Sequence, residues 1–260
     1  MDLDGLLASP VAGDQVVAVA KLAVEESEPG SGCPAYLSAL QEALGKAPPP
    51  YDQKNYADTY RAASEDPRWM ATSLMTNAER EGDGATRLWS MAASSDNASE
   101  KKLLKRHAVD ESKHALIYLT LLDLAFPNAV DAAFRKELEQ LSPRFTMAQP
   151  LEVVEGSPYG RAPSVDDFIQ MNIAEIRTTI HHLLQREALA RYCPEENRPR
   201  MNKLLDALLR DELGHVGYTA VLIDQYSKLV ALGKISELFC LRMRDFNEIT
   251  KKELGERVFD

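Results

Sequence analysis

The sequence predicts an all-α protein, and three observations favour this class. The strong helix formers Ala, Leu, Glu, Lys and Arg dominate the chain, whereas few segments show the alternation of β-branched residues that is typical of strands. Hydrophobic residues make up 45% of the 260 residues, which is enough for a substantial core. Long stretches with helical periodicity are separated by short clusters of Pro, Gly, Ser and Asn, which end helices.

The N-terminal part of the chain, residues 1–65, is predicted to be an accessory helical segment. The stretches "GDQVVAVAKLAVEE" and "PAYLSALQEALG" each predict a short helix, and "SEPGSG" separates them. The stiff "APPPYDQ" follows, and no chemistry is recognisable in this part.

Residues 66–231 are predicted to contain four long helices, of which the first two form a hairpin. Asp66 is a plausible N-cap for the first helix, which ends at "SSDN". The second begins near Asn97 and ends before Pro127. A shorter helix at about 129–141 then precedes a long irregular stretch.

The third and fourth long helices form a second predicted hairpin. Ser164 caps the third, the break "CPEENRP" follows, and the fourth is expected to end at Gly233. An amphipathic helix at about 235–257, within a C-terminal segment 232–260, is expected to pack on the outside. Two hairpins joined by about forty residues correspond to a four-helix bundle with one long crossover.

Charge, cysteine content and hydropathy narrow the class of protein. The formal net charge of −10 argues against a nucleic-acid partner, which needs concentrated Lys and Arg. Three cysteines without a CxxC pair predict isolated reduced thiols. The N-terminus has acids where a signal peptide has basic residues, and no apolar run approaches the ~18 residues of a membrane span. We therefore expect a cytoplasmic protein with no membrane partner.

One spacing of glutamate and histidine occurs twice in a chain that has only five histidines. Glu111 precedes His114 by three residues, and Glu212 precedes His215 by the same interval. Residues i and i+3 project from one helix face, so each pair could bind a metal ion. Leucines share these faces, which are therefore predicted to be buried, and a buried carboxylate is costly unless it is paired or bound to a metal.

Each motif also has a carboxylate at its own height on the neighbouring helix. Residues equidistant from the turn of an antiparallel hairpin face each other. Glu81 is paired in this way with Glu111 about "SSDN", and Glu175 with Glu212 about "CPEENRP". The sequence therefore predicts a carboxylate opposite each motif.

Glu81 has two neighbours that could be chosen in its place, Glu79 and Asp83. Leu74 and Leu88 lie seven residues either side of Glu81 and place it on an apolar stripe. Glu79 lies between threonines at the same spacing, and Asp83 is rotated away from the stripe, so Glu81 is favoured.

Two aspartates offer support to histidine ligands. A metal-bound imidazole usually donates its second N–H to an acceptor. Asp110 and Asp211 directly precede the two motif glutamates, and each could accept this hydrogen bond from the histidine of the opposite hairpin. The alternative is that both are surface acids.

Together these residues resemble the ligand set of the ferritin-like di-iron carboxylate proteins, over about residues 66–231. The resemblance implies a ferritin-like four-helix bundle that holds two iron ions, with Mn/Fe as an alternative pair. A helical core with incidental acids remains the other interpretation. The ligands implied are four glutamates and two histidines: Glu81, Glu111, His114, Glu175, Glu212 and His215.

Other residues near the motifs have two possible interpretations each. Tyr118 is similar in placement to the radical tyrosine of ribonucleotide reductase small subunits, but it could also be a core residue or a hydrogen-bond donor. Thr179 is similar to a pocket threonine of multicomponent monooxygenases, but it could also hydrogen-bond its own helix carbonyl.

Three further histidines are candidates of different kinds. His107 lies four residues before Glu111 and resembles an extra ligand of di-iron N-oxygenases, although in those proteins the extra histidine occurs at the position of Leu208. His182, two turns after Glu175, is a second possible extra ligand, and His181 is expected to face outward.

The resemblance implies an oxidoreductase that activates dioxygen to hydroxylate, desaturate, cleave or N-oxygenate a small organic substrate. Such an enzyme needs an external electron donor, a ferredoxin or a reductase, and we also expect a homodimer. The alternatives are a ferroxidase or peroxidase-type iron protein and a radical-generating protein similar to ribonucleotide reductase small subunits. The accessory segments make the chain larger than a ferritin subunit, which favours an oxygenase.

Overall fold

A computed structural model describes residues 5–6, 15–30 and 32–254 of the chain. This part is helical and contains no strand, which confirms the all-α prediction. Three 3₁₀-helices, Pro50–Asp52, Glu139–Leu141 and Glu195–Asn197, connect longer elements. The α-helices are α1 (Val16–Ser27), α2 (Pro34–Lys46), α3 (Lys54–Ala63), α4 (Pro67–Ser94), α5 (Ala98–Ala125), α6 (Ala132–Leu138), α7 (Val165–Tyr192), α8 (Arg198–Tyr226) and α9 (Leu232–Leu254).

The predicted starts of the first three long helices are confirmed by their caps. The Asp66 carboxylate accepts a hydrogen bond from Arg68 N at 2.8 Å, and the Asn97 side chain accepts one from Ser99 N at 2.9 Å. At α7, Ser164 N and Oγ both donate to Asp167 Oδ2, at 2.8 and 2.6 Å. Each cap supplies a hydrogen-bond partner to groups in the first turn that have none within the helix. Such a cap stabilises the protein by about 1 kcal/mol.

The fourth long helix ends earlier than predicted. Helix α8 stops at Tyr226 rather than at Gly233, because the chain turns where Ser227 Oγ donates to Asp224 O at 2.6 Å. Val230 N then donates to Tyr226 O at 3.0 Å. Gly233 lies in the first turn of α9, which therefore begins before the predicted residue 235.

The N-terminal segment contains more helix than predicted. Helices α1 and α2 confirm the two predicted elements, and α3 is an additional helix. The first residues of the predicted first helix, 13–14, lie outside the described residues, as do 1–4, on which the argument against a signal peptide rests, and 255–257 of the predicted last helix. Within the described residues, no helix has the length and hydropathy that crossing a membrane requires.

The chain divides into two compact units. One comprises the described parts of Met1–Glu65, Ser164–Glu187 and Leu209–Asp260, and the other comprises Asp66–Pro163 and Ala188–Leu208. The predicted division into an N-terminal segment, a bundle and a C-terminal helix concerns independent folding and stays a prediction.

In the first unit, α2 is fixed to the long helices by polar side chains. Asp224 of α8 accepts hydrogen bonds from Ala35 N and Tyr36 N at 2.9 and 3.1 Å, and so caps the start of α2. Buried Asn172 of α7 accepts from Tyr36 Oη at 2.9 Å and donates to Val216 O at 3.0 Å. These bonds link α2, α7 and α8 in the interior of this unit.

In the second unit, an apolar core gathers side chains from four long helices. Helices α4 and α5 form the predicted hairpin, and the end of α7 and the start of α8 contribute the other two walls. The buried members include Met70, Leu74, Leu119, Leu122, Leu189, Met201, Leu205 and Leu208.

The connection after α5, which we call the crossover segment (residues 126–164), is held against the α4/α5 hairpin. The ring of Phe145 stacks on buried Trp89, with the centroids 4.3 Å apart. Ser142 Oγ donates to Ser112 O at 2.5 Å, and Phe145 N donates to Ser112 Oγ at 2.9 Å. At Gly82 the approach is so close that a Cβ atom would lie 1.9 Å from Leu141 O.

A glycine in α8 allows a comparable approach in the first unit, and its replacement tests the packing. We expect Gly217→Ala to destabilise the protein by about 1–3 kcal/mol, because the new Cβ would lie 2.4 Å from the backbone oxygen of Ala23. Gly214→Ala, three residues away with nothing within 4 Å, should instead stabilise by about 1 kcal/mol through helix propensity. Urea unfolding followed by circular dichroism measures both; equal effects would contradict the proposed contact.

Buried tyrosines in the first unit predict loss of stability at alkaline pH. Burial raises the pKa of Tyr36, Tyr51 and Tyr60 well above the ordinary value. Below about pH 10 these phenols are protonated in both the folded and the unfolded chain. Above about pH 10 they ionise in the unfolded chain before they ionise in the folded protein. Stability should then fall by about 1.4 kcal/mol per pH unit for each tyrosine. We expect Tyr60→Phe to have a smaller slope above pH 10, measured by urea unfolding at successive pH values; an unchanged slope would contradict this account.

Candidate metal centre

The second unit contains a buried group of two glutamates and two histidines, which we call the α4/α5 cluster: Glu81, His107, Glu111 and His114. His107 Nε2 lies 3.3 Å from Glu111 Oε1, and His114 Nδ1 lies 3.4 Å from the same oxygen. His114 Nδ1 is also 3.7 Å from Glu81 Oε2. Ligand atoms of Glu81, Glu111 and His114 all lie within 4.8 Å of one another.

The helices place these side chains together through regular spacing. His107, Glu111 and His114 follow the i, i+4, i+7 pattern and therefore share one face of α5. Glu81 reaches the cluster from α4, as its equal distance from the hairpin turn predicted. Helix α4 leaves room beside the cluster, because Gly84 has no side chain and a Cβ there would lie 3.3 Å from Glu111 Oε2.

The two carboxylates of this cluster differ in their proton affinity. Burial raises the pKa of Glu81 well above its usual value, and the negative charge of Glu111 raises it further. Burial acts in the same direction on Glu111, but hydrogen bonding to His107 and His114 outweighs it and holds the pKa of Glu111 well below its usual value. Glu111 is therefore the carboxylate that stays ionised most readily, with two imidazole nitrogens close to one of its oxygens.

The first unit contains a second buried group, which we call the α7/α8 cluster: Glu175, His182, Glu212 and His215. His182 Nε2 lies 3.4 Å from Glu212 Oε1, and His215 Nδ1 lies 3.4 Å from Glu212 Oε2. Glu175 and His215 offer ligand atoms within 4.8 Å of each other. Glu212 thus has an imidazole near each of its oxygens, whereas the two imidazoles beside Glu111 both lie near one oxygen.

Both clusters have a donor set that fits a metal ion. Carboxylate oxygens and imidazole nitrogens are the usual ligands of iron, manganese and zinc in proteins. All eight side chains are buried, and the charged forms of the carboxylates are costly there unless a cation is close. The ligand atoms of Glu81, Glu111 and His114 are close enough together to hold one ion, and those of Glu175 and His215 are close enough to share one.

The four other acids near the motifs, Glu79, Asp83, Asp110 and Asp211, differ in how far they are exposed. Glu79 and Asp83 are exposed, in agreement with the choice of Glu81. Asp110 accepts a hydrogen bond from Lys113 Nζ at 2.8 Å and lies 3.8 Å from Arg106 Nε, both on its own helix. Asp211 is partly exposed. The supporting role predicted for Asp110 and Asp211 stays a prediction.

The two residues compared with catalytic groups of known enzymes are both buried. Tyr118 is 2% exposed and belongs to the apolar core of the second unit. Thr179 Oγ1 donates to Glu175 O at 2.8 Å, which is the hydrogen bond to its own helix that the sequence left open. This bond fixes the hydroxyl one turn after a candidate ligand.

Of the three histidines outside the two motifs, two belong to the clusters and one does not. His107 and His182, which sequence reasoning left undecided, each lie beside a motif glutamate in their own cluster. His181 was expected to face outward, and it is partly exposed, with helix α3 packed against it. Its ring stacks on Tyr56 with centroids 5.6 Å apart, and its Nε2 lies 2.5 Å from Tyr56 Oη. Sequence reasoning missed this contact because α3 itself was not predicted.

The three cysteines, Cys33, Cys193 and Cys240, are all buried free thiols, as expected from their spacing. None is a member of either cluster, so the candidate ligands there are restricted to oxygen and nitrogen.

Comparison of the chain with known protein families, curated proteins and solved structures finds no match. The interpretation of the two clusters therefore depends on their own geometry and on the motif spacing.

Replacing Glu81 should separate stability from metal binding. We expect Glu81→Gln to leave the metal-free protein at least as stable as wild type, because the neutral amide removes repulsion with Glu111. The pKa of Glu81 is raised in the folded state, so this residue destabilises the fold as the pH rises. The destabilisation is absent below about pH 4 and grows as the pH rises toward the folded-state pKa. The advantage of the variant should accordingly be larger at pH 7 than at pH 4.

Thermal unfolding with and without Co(II) measures both effects. The metal should raise the melting temperature of wild type much more than that of Glu81→Gln. Glu79→Gln, at an exposed position on the same helix, serves as the control and should behave as wild type. A loss of metal-free stability in Glu81→Gln, or an undiminished metal effect, would contradict this account.

Proposed function

We propose that this protein is a di-iron oxidoreductase that activates dioxygen to oxidise a small organic substrate. One observation carries the proposal: each of two buried clusters contains two glutamates and two histidines, with imidazole nitrogens 3.3–3.7 Å from carboxylate oxygens. The repeated Glu-x-x-His spacing, and the resemblance that it gives to di-iron carboxylate proteins, support the proposal of two iron ions per chain.

Two glutamates each lie beside two imidazoles. His107 Nε2 and His114 Nδ1 both lie near Oε1 of Glu111, whereas His182 Nε2 and His215 Nδ1 lie near different oxygens of Glu212. Glu111 and Glu212 would therefore hold the ions together with these histidines, and Glu81 and Glu175 would complete the ligand set from the neighbouring helices.

The ordinary members of the ligand set are His114 and His215, and the additional members are His107 and His182. With all four bound, each cluster contributes two imidazoles rather than one. More neutral nitrogen ligands leave a higher positive charge on the ions than an all-carboxylate site would. The metal content of His107→Ala and of His182→Ala tests, for each histidine separately, whether it binds an ion.

A pair of ferrous ions bound here would supply the electrons that reduce dioxygen and generate an oxidant for the substrate. The protein has three tasks in this reaction. It holds the ligands in fixed positions, keeps bulk water away from them and positions the substrate. Burial of all eight cluster residues supports the first two tasks.

The proposal requires an external source of electrons, a ferredoxin or a reductase, since the described residues offer no cysteine pair for an electron-transfer centre. Storage of iron and breakdown of peroxide are alternatives with the same ligands. A radical-generating role would depend on Tyr118, which is buried among apolar side chains.

Iron loading under anaerobic conditions tests the function. We expect wild type to bind about two Fe(II) per chain, and to give a transient visible absorption with dioxygen. Mössbauer spectra of the oxidised protein should show antiferromagnetic coupling, which requires the two ions to share a bridging ligand. Glu111→Ala and His215→Ala should each lower the iron content by at least about tenfold in affinity.

Glu79→Ala is the matched control and should bind iron as wild type does. Accumulation of iron far beyond two per chain would support storage instead. A stable tyrosyl radical that is absent from Tyr118→Phe would support the radical-generating alternative. Unchanged metal content in both Glu111→Ala and His215→Ala would overturn the proposal.

A further inference from the structure

The first half of α5 carries exposed charges of one sign. Between Ala98 and Lys113, every acidic residue is buried, namely Glu100, Asp110 and Glu111. The basic residues of the same stretch are exposed or partly exposed, and we call them the basic stripe: Lys101, Lys102, Lys105, Arg106 and Lys113. Such a surface is unexpected in a chain with a formal net charge of −10.

Neighbouring groups hold part of this stripe in place. Lys105 Nζ donates to Gln149 O of the crossover segment at 2.6 Å and lies 5.4 Å from the centroid of the Trp89 ring. Asp110 lies between Lys113 Nζ and Arg106 Nε, at 2.8 and 3.8 Å. The guanidinium of Arg106 nevertheless remains available, because its side chain is 77% exposed.

The stripe and the α4/α5 cluster occupy different faces of one helix. Lys102, Arg106 and Lys113 follow helical spacing along the outer face, whereas His107 and His114 are buried on the other side. A helix with its side chains is about 10–12 Å across. A protein bound to the stripe would therefore be separated from the cluster by about one helix width.

We propose that the basic stripe docks an acidic electron-carrier protein of the ferredoxin type, an inference that rests on the proposed function. Each reduced carrier gives up one electron and leaves oxidised, and no bond is made or broken. Two successive docking events would supply the two electrons that return a pair of ferric ions to the ferrous state.

Charge complementarity favours this occupant. A negatively charged carrier is repelled by most of an acidic protein, so a local basic surface directs it to one place and accelerates its association. A nucleic acid is a poorer fit. The stripe covers thirteen positions, or roughly 20 Å of helix, and a longer polyanion would extend onto acidic surface.

Binding of a plant-type [2Fe–2S] ferredoxin to the iron-loaded protein tests the proposal by calorimetry at low ionic strength. We expect Lys102→Glu with Arg106→Glu to weaken binding by at least about tenfold, and Lys102→Gln with Arg106→Gln to weaken it less. Arg200→Glu with Lys203→Glu, exposed positions in the same unit, makes the same change in net charge and should weaken binding by less than about twofold. Wild-type affinity should fall as salt rises, because screening shortens the range of charge interactions.

Reduction rates provide the second measurement. The Lys102/Arg106 variants should accept electrons from ferredoxin more slowly than the control, but from dithionite with a small viologen at the wild-type rate. Three results would overturn the proposed docking surface. These are equal weakening of binding in the stripe and control variants, no binding of ferredoxin to wild type, and preferential binding of a single-stranded oligonucleotide. A protein that binds no iron would instead contradict the proposed function, and iron content is measured on the same samples before ferredoxin is added.

Discussion

Burial of carboxylates among helices is the constraint on which the arrangement of this protein depends. Each cluster buries two glutamates in the interior of its unit, where an unpaired negative charge is strongly unfavourable. Neutral histidines relieve this only in part, because an imidazole donates one hydrogen bond and carries no charge until it is protonated. A bound cation would satisfy carboxylates and histidines together, so folding energy and ion binding would be coupled in these clusters.

The rest of the fold can be understood as the support that such clusters require. The donor atoms lie on long helices, which position side chains more precisely than loops do. Polar residues such as Asn172 and Asp224 fix these helices to their neighbours in the first unit through hydrogen bonds. In the second unit, leucines and methionines from four helices form an apolar core. Both kinds of contact restrict the positions that the side chains of the clusters can take.

Much of the helical framework could be predicted from sequence because its signals are local. Asp66, Asn97 and Ser164 mark helix starts through hydrogen bonds to residues two or three positions away. Helix α3 was missed because its stability comes from contacts distant in sequence, such as that between Tyr56 and His181. The end of α8 was misplaced because Ser227 and Tyr226 form a turn in a stretch whose apolar pattern continues.

Some of the candidate ligands could likewise be chosen from local sequence signals, and others could not. Glu81 could be chosen over Glu79 because apolar residues at heptad spacing indicate a buried face, and burial confirms that choice. His107 lies beside Glu111 of its own helix, at a spacing that the sequence contains. The partner of His182, Glu212, lies on another helix, so this contact depends on how α7 and α8 pack and could not be predicted from spacing alone.

The contact at Gly82 has an implication for how this protein tolerates change. There the crossover segment touches the α4 backbone directly, and no side chain lies between the two that could yield by changing rotamer. Lengthening or shortening that connection would displace the helix axis itself, and the neighbouring Glu81 would move with it. Variation among descendants of this sequence should therefore avoid insertions near Leu141, even though the connection is otherwise a loop, where length usually changes freely.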